Sequence, residues 1–420
     1  MTTTMLPVTQ VLAETADVLL ADVAIRVQLS PTAYDKAVAR HEAIKRWIER
    51  VKSPLHGCVE QFYPQGSMAT RSTIASKLRT DEFDIDIVAA LLLAADTPAA
   101  EVLDLLYEAI RAEPGSRYFD MAERRTRCIT VHYADDMHLD VTPLLRRPAT
   151  PERESWLFHH RERTPRELGE RLIANPYGFA AWFNERMPLD HDFVQMYEAR
   201  SIEYERTVLA GIVDDDPVPP QEHPGRKSMA VIVLQLLKRW RNVQYDLRTG
   251  RRPPSILMSK LVADNAGHTE TLSRELLYQS RQMLEAFVHC QAVGKRIHVE
   301  NPTCPVDVLT DRWPASMGEQ VQFIDDLREL VKDAERLVNG RRLDEIKEIL
   351  TKLFGEEPTG AAVDAYSERI GESIRTGKGR HQTGSGRIVV PAATVAGVTA
   401  SPTSVRATPP HRFHGDRWKP

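Results

Sequence analysis

Two aspartates set two residues apart in an apolar run are the first chemistry this chain offers. The stretch "YPQGSMATRSTIASKLRTDEFDIDIVAAL", residues 63 to 91, places Asp84 and Asp86 inside "FDIDIVAALLL". A strand projects such residues from one face, about 6.6 Å apart along the chain. The two carboxylates therefore point together while Phe83, Ile85 and Ile87 turn into packing. An ionised carboxylate taken out of water must be paired or bound to metal, and this pair suits one or two Mg²⁺ ions, with Mn²⁺ the alternative. Upstream, Gly66 permits a tight turn and Ser67 opens a helix expected over "MATRSTIASKL", where free N–H groups and the helix dipole favour phosphate. Two ions that stabilise both the attacking and the leaving oxygen of a phosphoryl centre need a third carboxylate. Asp140 in "MHLDVTP" supplies it from a later apolar strand.

These residues need an α/β scaffold, and the pattern along the chain divides accordingly. Residues 1–57 carry amphipathic helical spacing and read as N-terminal helices packing on the core. Residues 58–164 switch to strand character around one helix at 98–112, with "RCITVHYADDMHLDVTPLL" read as two strands about a polar turn. Residues 165–354 return to helical stripes such as "SMAVIVLQLLKRWRNVQ" and "MGEQVQFIDDLRELVKDAERLV". Residues 355–420, rich in Gly, Ser, Thr and Pro, read as a largely disordered tail.

Composition sets bounds. At 420 residues with 42% hydrophobic residues the chain has ample material for real cores. A net charge of −4 lacks the basicity of many proteins that wrap nucleic acid, so nucleotide contacts must be local. Four cysteines, at 58, 128, 290 and 304, are too few and too scattered for a disulfide framework and suggest a reducing compartment. The N-terminus lacks a basic leader and no apolar run reaches the roughly 20 residues of a membrane span. The cytoplasm is the expected location, with no membrane partner.

The order of Gly66-Ser67, Asp84-x-Asp86 and Asp140 resembles that of the polymerase-β-like nucleotidyltransferases. "PQGSMATRSTI", "FDIDIV" and "HLDVTP", followed by "NPYGFAAWF", "VLQLLKRWRN", "RPPSILMSKLV" and "ENPTCPVDVLTDRW", are similar to the bacterial cGAS-like (CD-NTase) branch across about residues 50 to 335. The resemblance implies an α+β fold of two lobes: a mixed sheet in the catalytic lobe and a helical lobe closing the cleft. It implies an enzyme that joins nucleoside triphosphates, ATP among them, into a cyclic di- or trinucleotide messenger in anti-phage (CBASS) signalling. Asp84, Asp86 and Asp140 would hold two Mg²⁺. Gln65, Gly66 and Ser67 would hold the donor triphosphate, with Lys238 and Ser255 reaching it from the helical lobe.

Each motif also has a plainer reading. Gly-Ser before a helix is common capping chemistry, a D-x-D can mark a strand edge, and "KRWR" can be a solvated basic face. Trp182 and Trp240 sit at helical spacing and read as core, and Asp135-Asp136 and Asp214-Asp215-Asp216 as solvated turns. His289, Cys290, His298 and Cys304 match no standard zinc spacing, so the zinc-binding insertion with which the similar animal cyclic GMP-AMP synthase grips DNA is not expected here, nor is activation by duplex DNA. Two other functions compete. A linear oligoadenylate synthase or RNA-tailing enzyme would want a continuous basic groove; a silent nucleotide sensor would not need three intact aspartates. The last residues, "PPHRFHGDRWKP", set Phe413 and Trp418 among basic residues, an arrangement suited to a regulatory protein that docks on the tail.

Overall fold

In a computed structural model of the chain, the structure describes residues 15–74, 83–135, 137–148, 153–209, 227–267, 269–339 and 342–376, with three short segments beyond. The catalytic lobe is organised by the back of the strand that carries the double aspartate. Strand β2 (Phe83–Leu91) buries Ile85, Ile87, Ala89 and Leu91 against helices α2 (Pro31–Ile48) and α4 (Ala99–Arg111). Helix α4 answers with Val102, Leu103, Leu106, Ala109 and Ile110, spaced along one face. Its opposite side is polar, so the helix can lie only one way on the sheet.

The sheet runs β1 (Val59–Pro64), β2, β5 (Met137–Arg146), β4 (Ile129–His132), β3 (Ala122–Arg124). Only β2 and β5 pair in parallel; the remaining pairs are antiparallel, which makes the sheet mixed. The far end of β5 pairs with β6 (Ser155–His159), and β6 with β7 (Glu170–Ala174). The sheet thus continues past the boundary expected at residue 164.

The helical lobe surrounds α7 (Met229–Tyr245), which is buried at every position from Met229 to Asn242. Around it lie α1 (Thr15–Val27), α5 (Pro176–Glu185), α8 (Ser255–Asp264), α9 (Leu272–Ala292), α10 (Met317–Val338) and α11 (Leu343–Phe354). Trp240, Phe287, Trp313 and Phe323 meet edge to face or tilted at 5.0 to 5.8 Å between ring centres. Trp240 is therefore core, while Trp182 is half-buried with Arg186 and Lys260 over its ring. Of the N-terminal helices, α1 belongs to this lobe and α2 to the catalytic one. A two-stranded hairpin, β8 (Glu300–Asn301) and β9 (Cys304–Val308), lies against β7. Among the described residues no helix is long and apolar enough to cross a membrane.

The tail expected from residue 355 begins later. Residues Glu356–Arg375 form α12, whose Ala362, Val363 and Tyr366 enter the helical core. Pro358 sits in the first turn, where its missing N–H costs nothing, and the i, i+1, i+4 spacing was masked by Thr359 and Gly360 just before it. Tyr366 bonds Thr15 at 3.2 Å, and Arg369 pairs with Asp22 of α1, which Arg200 of α6 (His191–Leu209) also grips with two bonds of 2.9 Å. Beyond it, Arg380–Gln382, Ile388–Val389 and Val405–Ala407 pair as three short strands. Phe413 and Trp418 lie outside the described residues, as do Asp136 and Asp214-Asp215-Asp216. Asp135 pairs with Arg40 at 2.8 Å.

Chains cut after residue 376 and after residue 355 should therefore differ. The first keeps its thermal midpoint. The second exposes an apolar face worth about 1.5 to 3 kcal/mol per large side chain and melts several degrees lower; equal midpoints by calorimetry would show that α12 adds nothing.

Candidate active site

The parallel pairing of β2 with β5 decides where the carboxylates go. Its register sets Asp86 beside Asp140 and Asp84 beside His138, all on the face opposite the helices. Antiparallel β4 sets Thr130 across from Asp140, and the Thr130 hydroxyl donates to Asp140 Oδ1 at 2.5 Å. Thr130 was not foreseen; only the strand alternation of "CITVH" could have placed it on this face. Asp84 is exposed and Asp86 half-buried. Burial, then the neighbouring charges of Asp140 and Asp84, push the Asp86 carboxyl up to about 7, against the opposing pull of Lys238.

The turn before β2 is built against this carboxylate. Gln65 N–H donates to the Asp86 carbonyl at 2.9 Å and the Gln65 amide reaches Thr142 Oγ1 at 3.1 Å, which ties the turn to both β2 and β5. Gly66 follows with φ of +56°, and a Cβ there would stand 2.5 Å from Asp86 Oδ2. Only glycine fits. The expected helix over residues 68 to 78 is not found as such: α3 spans Gly66–Ala69, its N-cap is Gln65, and a turn follows. Ser67 is thus inside a single helical turn rather than opening a long helix. Residues 75–82 lie outside the described ones.

The segment after α3 is gripped by the helical lobe. Lys238 Nζ donates to Ser72 O at 3.1 Å and Ser72 Oγ at 2.6 Å, Gln235 donates to Thr73 O at 2.9 Å, and Asn184 to Ala69 O at 3.1 Å. Gln28, at the end of α1, bridges to Ile74 and receives Lys227 Nζ at 2.7 Å. Lys238 is 2% exposed, so "KRWR" is no solvated face; burial and the Arg241 charge lower its amine to about 7. Ser255 stands apart from this grip: its hydroxyl accepts from Arg241 at 2.9 Å. The structure therefore gathers Gln65, Gly66, Ser67, Asp84, Asp86 and Asp140 at one place and brings Lys238 to the loop beside them. Among the described residues Ser255 connects to it through Arg241, one turn along α7 from Lys238.

Between the lobes lies a cavity of about 910 Å³, lined by Arg127, Arg251, Arg252, Arg312 and Asp307 over apolar residues including Leu157. Arg127 precedes Cys128, whose thiol is pushed up to about 12 by burial and then by Asp140 and Asp86. None of the three aspartates lines the cavity itself. Arg312 Nη2 is buried without a hydrogen-bond partner among the described residues, while its Nε pairs with Asp311 at 3.7 Å.

The donor set suits a hard divalent cation: three carboxylates in adjacent register positions, with one raised well above its ordinary range by burial and then by like charge. Among the described residues no three His, Cys, Asp or Glu side chains form a ready-made metal cage. The fit lies in chemistry and placement. It also fixes a pH dependence. A carboxyl whose folded pKa is raised binds its proton more tightly folded than unfolded, so ionisation destabilises the fold as pH climbs from about 4 to about 7 and fully above that. Asp86→Asn should then stabilise metal-free protein at pH 8 and change little at pH 4. A rise of that size bounds the gain at about 4 kcal/mol, and partial exposure brings the expectation to about 1 to 3 kcal/mol. Urea unfolding in EDTA at both pH values checks it; an equal effect at both would refute the electrostatic origin.

Comparison with known proteins identifies relatives of the whole chain. A family model described as the Second Messenger Oligonucleotide or Dinucleotide Synthetase domain matches residues 17–186. The cyclic dinucleotide synthase CdnG of Bradyrhizobium diazoefficiens is 36% identical over 414 residues, 96% of each chain. The structure of the CD-NTase CdnG of that organism in complex with GTP superposes with a TM-score of 0.74, covering 85% of this chain and 100% of that one. A c-di-GMP synthase of Roseivirga ehrenbergii is 24% identical over 368 residues, 87% of this chain and 91% of its own. The structure of Escherichia coli CdnC with ATP, 14% identical, shares the fold with a TM-score of 0.55, covering 81% of this chain and 98% of that one.

Proposed function

The chain belongs to the CD-NTase family of nucleotidyltransferases, and from that footing we propose that it condenses two molecules of GTP into a cyclic dinucleotide. The observation that carries the reading is the register of β2 against β5, which sets three aspartates side by side beneath a glycine turn. The likeness to relatives named for cyclic dinucleotide and c-di-GMP synthesis, over nearly the whole chain in the first case, supports the product class and GTP in place of ATP.

Each turnover makes two phosphodiester bonds. A ribose hydroxyl of one nucleotide attacks the α-phosphorus of the other, its proton is lost, and pyrophosphate leaves in line. A second such transfer within the linear intermediate closes the ring and releases a second pyrophosphate. Asp84 and Asp86 would hold both Mg²⁺ ions and Asp140 one of them; when bound, such ions lower the pKa of the attacking hydroxyl and offset charge on the leaving group. Thr130 fixes the Asp140 carboxylate. Gln65 and Gly66 hold the turn against Asp86, where Ser67 can donate to the donor triphosphate. Lys238 adds positive charge beside the loop, and the arginines of the cavity between the lobes offer donors to the second nucleotide. A role in anti-phage signalling and a regulatory protein docked on the tail belong to the same proposal, on family grounds.

Incubation with each NTP and Mg²⁺, then phosphatase and mass spectrometry, tests it. GTP alone should yield a phosphatase-resistant dinucleotide and two pyrophosphates per ring. A product that phosphatase strips of terminal phosphates, leaving the open dinucleotide by mass, would mean a linear oligonucleotide and overturn the reading. The double variant Asp84→Asn, Asp86→Asn should lose product by at least about 10³-fold with the fold intact; pyrophosphate released at the parent rate would remove both residues from the site.

A further inference from the structure

Ser67 has one proton and two lone pairs to place. Its Oγ accepts a hydrogen bond from Thr73 Oγ1 at 3.1 Å. An oxygen that accepts there keeps its own proton for a different acceptor, and accepting polarises that O–H. Thr73 cannot easily turn away. It is buried, and its carbonyl receives Gln235 Nε2 at 2.9 Å from the fully buried face of α7. Its neighbours are pinned on both sides, Ser72 by Lys238 and Ile74 by Gln28. Ser72 N–H also donates to Ser67 O at 2.9 Å, which closes residues 67–73 into a compact loop.

We propose that Thr73 is a positioning residue for the transfer reaction: by donating to Ser67 it reserves the Ser67 proton for a non-bridging oxygen of the donor triphosphate, and Gln235 acts through Thr73 by fixing its backbone. The inference rests on the reading above that Ser67 holds that triphosphate. A plain capping serine would need no such partner, because its hydroxyl would accept from a helix N–H rather than from a side chain. Here the N-cap position belongs to Gln65.

The test is a double-mutant cycle on the full chain with GTP and Mg²⁺, reading KM, kcat and thermal midpoint. Ser67→Ala should raise KM about tenfold, the loss of one donor to a charged group, with kcat changed less. Thr73→Val, which keeps the shape and removes the hydroxyl, should raise KM to within about threefold of that value, and Thr73→Ser should restore it. In the Ser67→Ala background Thr73→Val should add nothing, because the proton it directs is gone. If Thr73→Val does not fold, Thr73→Ala enters the same cycle. Additive effects of the two substitutions, or a parent KM in the Thr73 variant while Ser67→Ala is impaired, would overturn the positioning role alone. A parent KM in Ser67→Ala would remove Ser67 from the triphosphate site and the inference with it.

Discussion

Asp84, Asp86 and Asp140 carry like charge at neighbouring positions of one sheet face, and nothing in holding them together is favourable by itself. The lobe holds them because the other face of the same strands is apolar: Ile85, Ile87, Leu139 and Val141 pack on α2 and α4, and a slip of one residue would turn them to water. The core fixes the register and the register fixes the charges. Burial and then their repulsion raise the Asp86 carboxyl. Lys238, the positive charge opposing that rise, is itself depressed by burial, so it offsets only part of it. Such a site has electrostatic energy to gain from any cation of the right size.

The second constraint is the polar layer between the lobes. Lys227 and Lys238 are buried with neutral acceptors, the Gln28 amide and the Ser72 oxygens, instead of carboxylates. Buried groups of this kind add little stability over an apolar contact, but they tolerate few alternative arrangements. The loop that carries Ser67 is consequently located by the helical lobe as much as by its own strand. The catalytic lobe alone would not specify it.

What could be read from the sequence follows the range of the interactions. The three aspartates were legible because strand period and apolar neighbours are local signals, and Gly66 because a turn residue announces itself. The partners of Lys238 were not, since a lysine on a helix gives no sign of a serine 166 residues away. The helix expected after Ser67 failed for the same reason: "MATRST" has helical propensity, yet the bonds from α7 pull Ser72 and Thr73 out of helical geometry, a tertiary override of a weak local preference. Composition misled at α12, where glycine, proline and threonine concealed the positions that bury Val363 and Tyr366. Ser255, expected only from the resemblance, opens α8, and its bond to Arg241 depends on how α8 returns against α7.

The contact of α12 with α1 joins residues 347 positions apart, through Asp22 and Arg369. A ribosome delivers α1 first and α12 near the end. The catalytic lobe, whose strands are complete by residue 174, can form while α1 still waits for the helices it packs against. The grip on Ser72 and Thr73 comes from α7, which needs that waiting helix around it. A nascent chain can therefore set its aspartates in register before the loop beside them is held, and the site is complete only once the helical lobe has formed around α7.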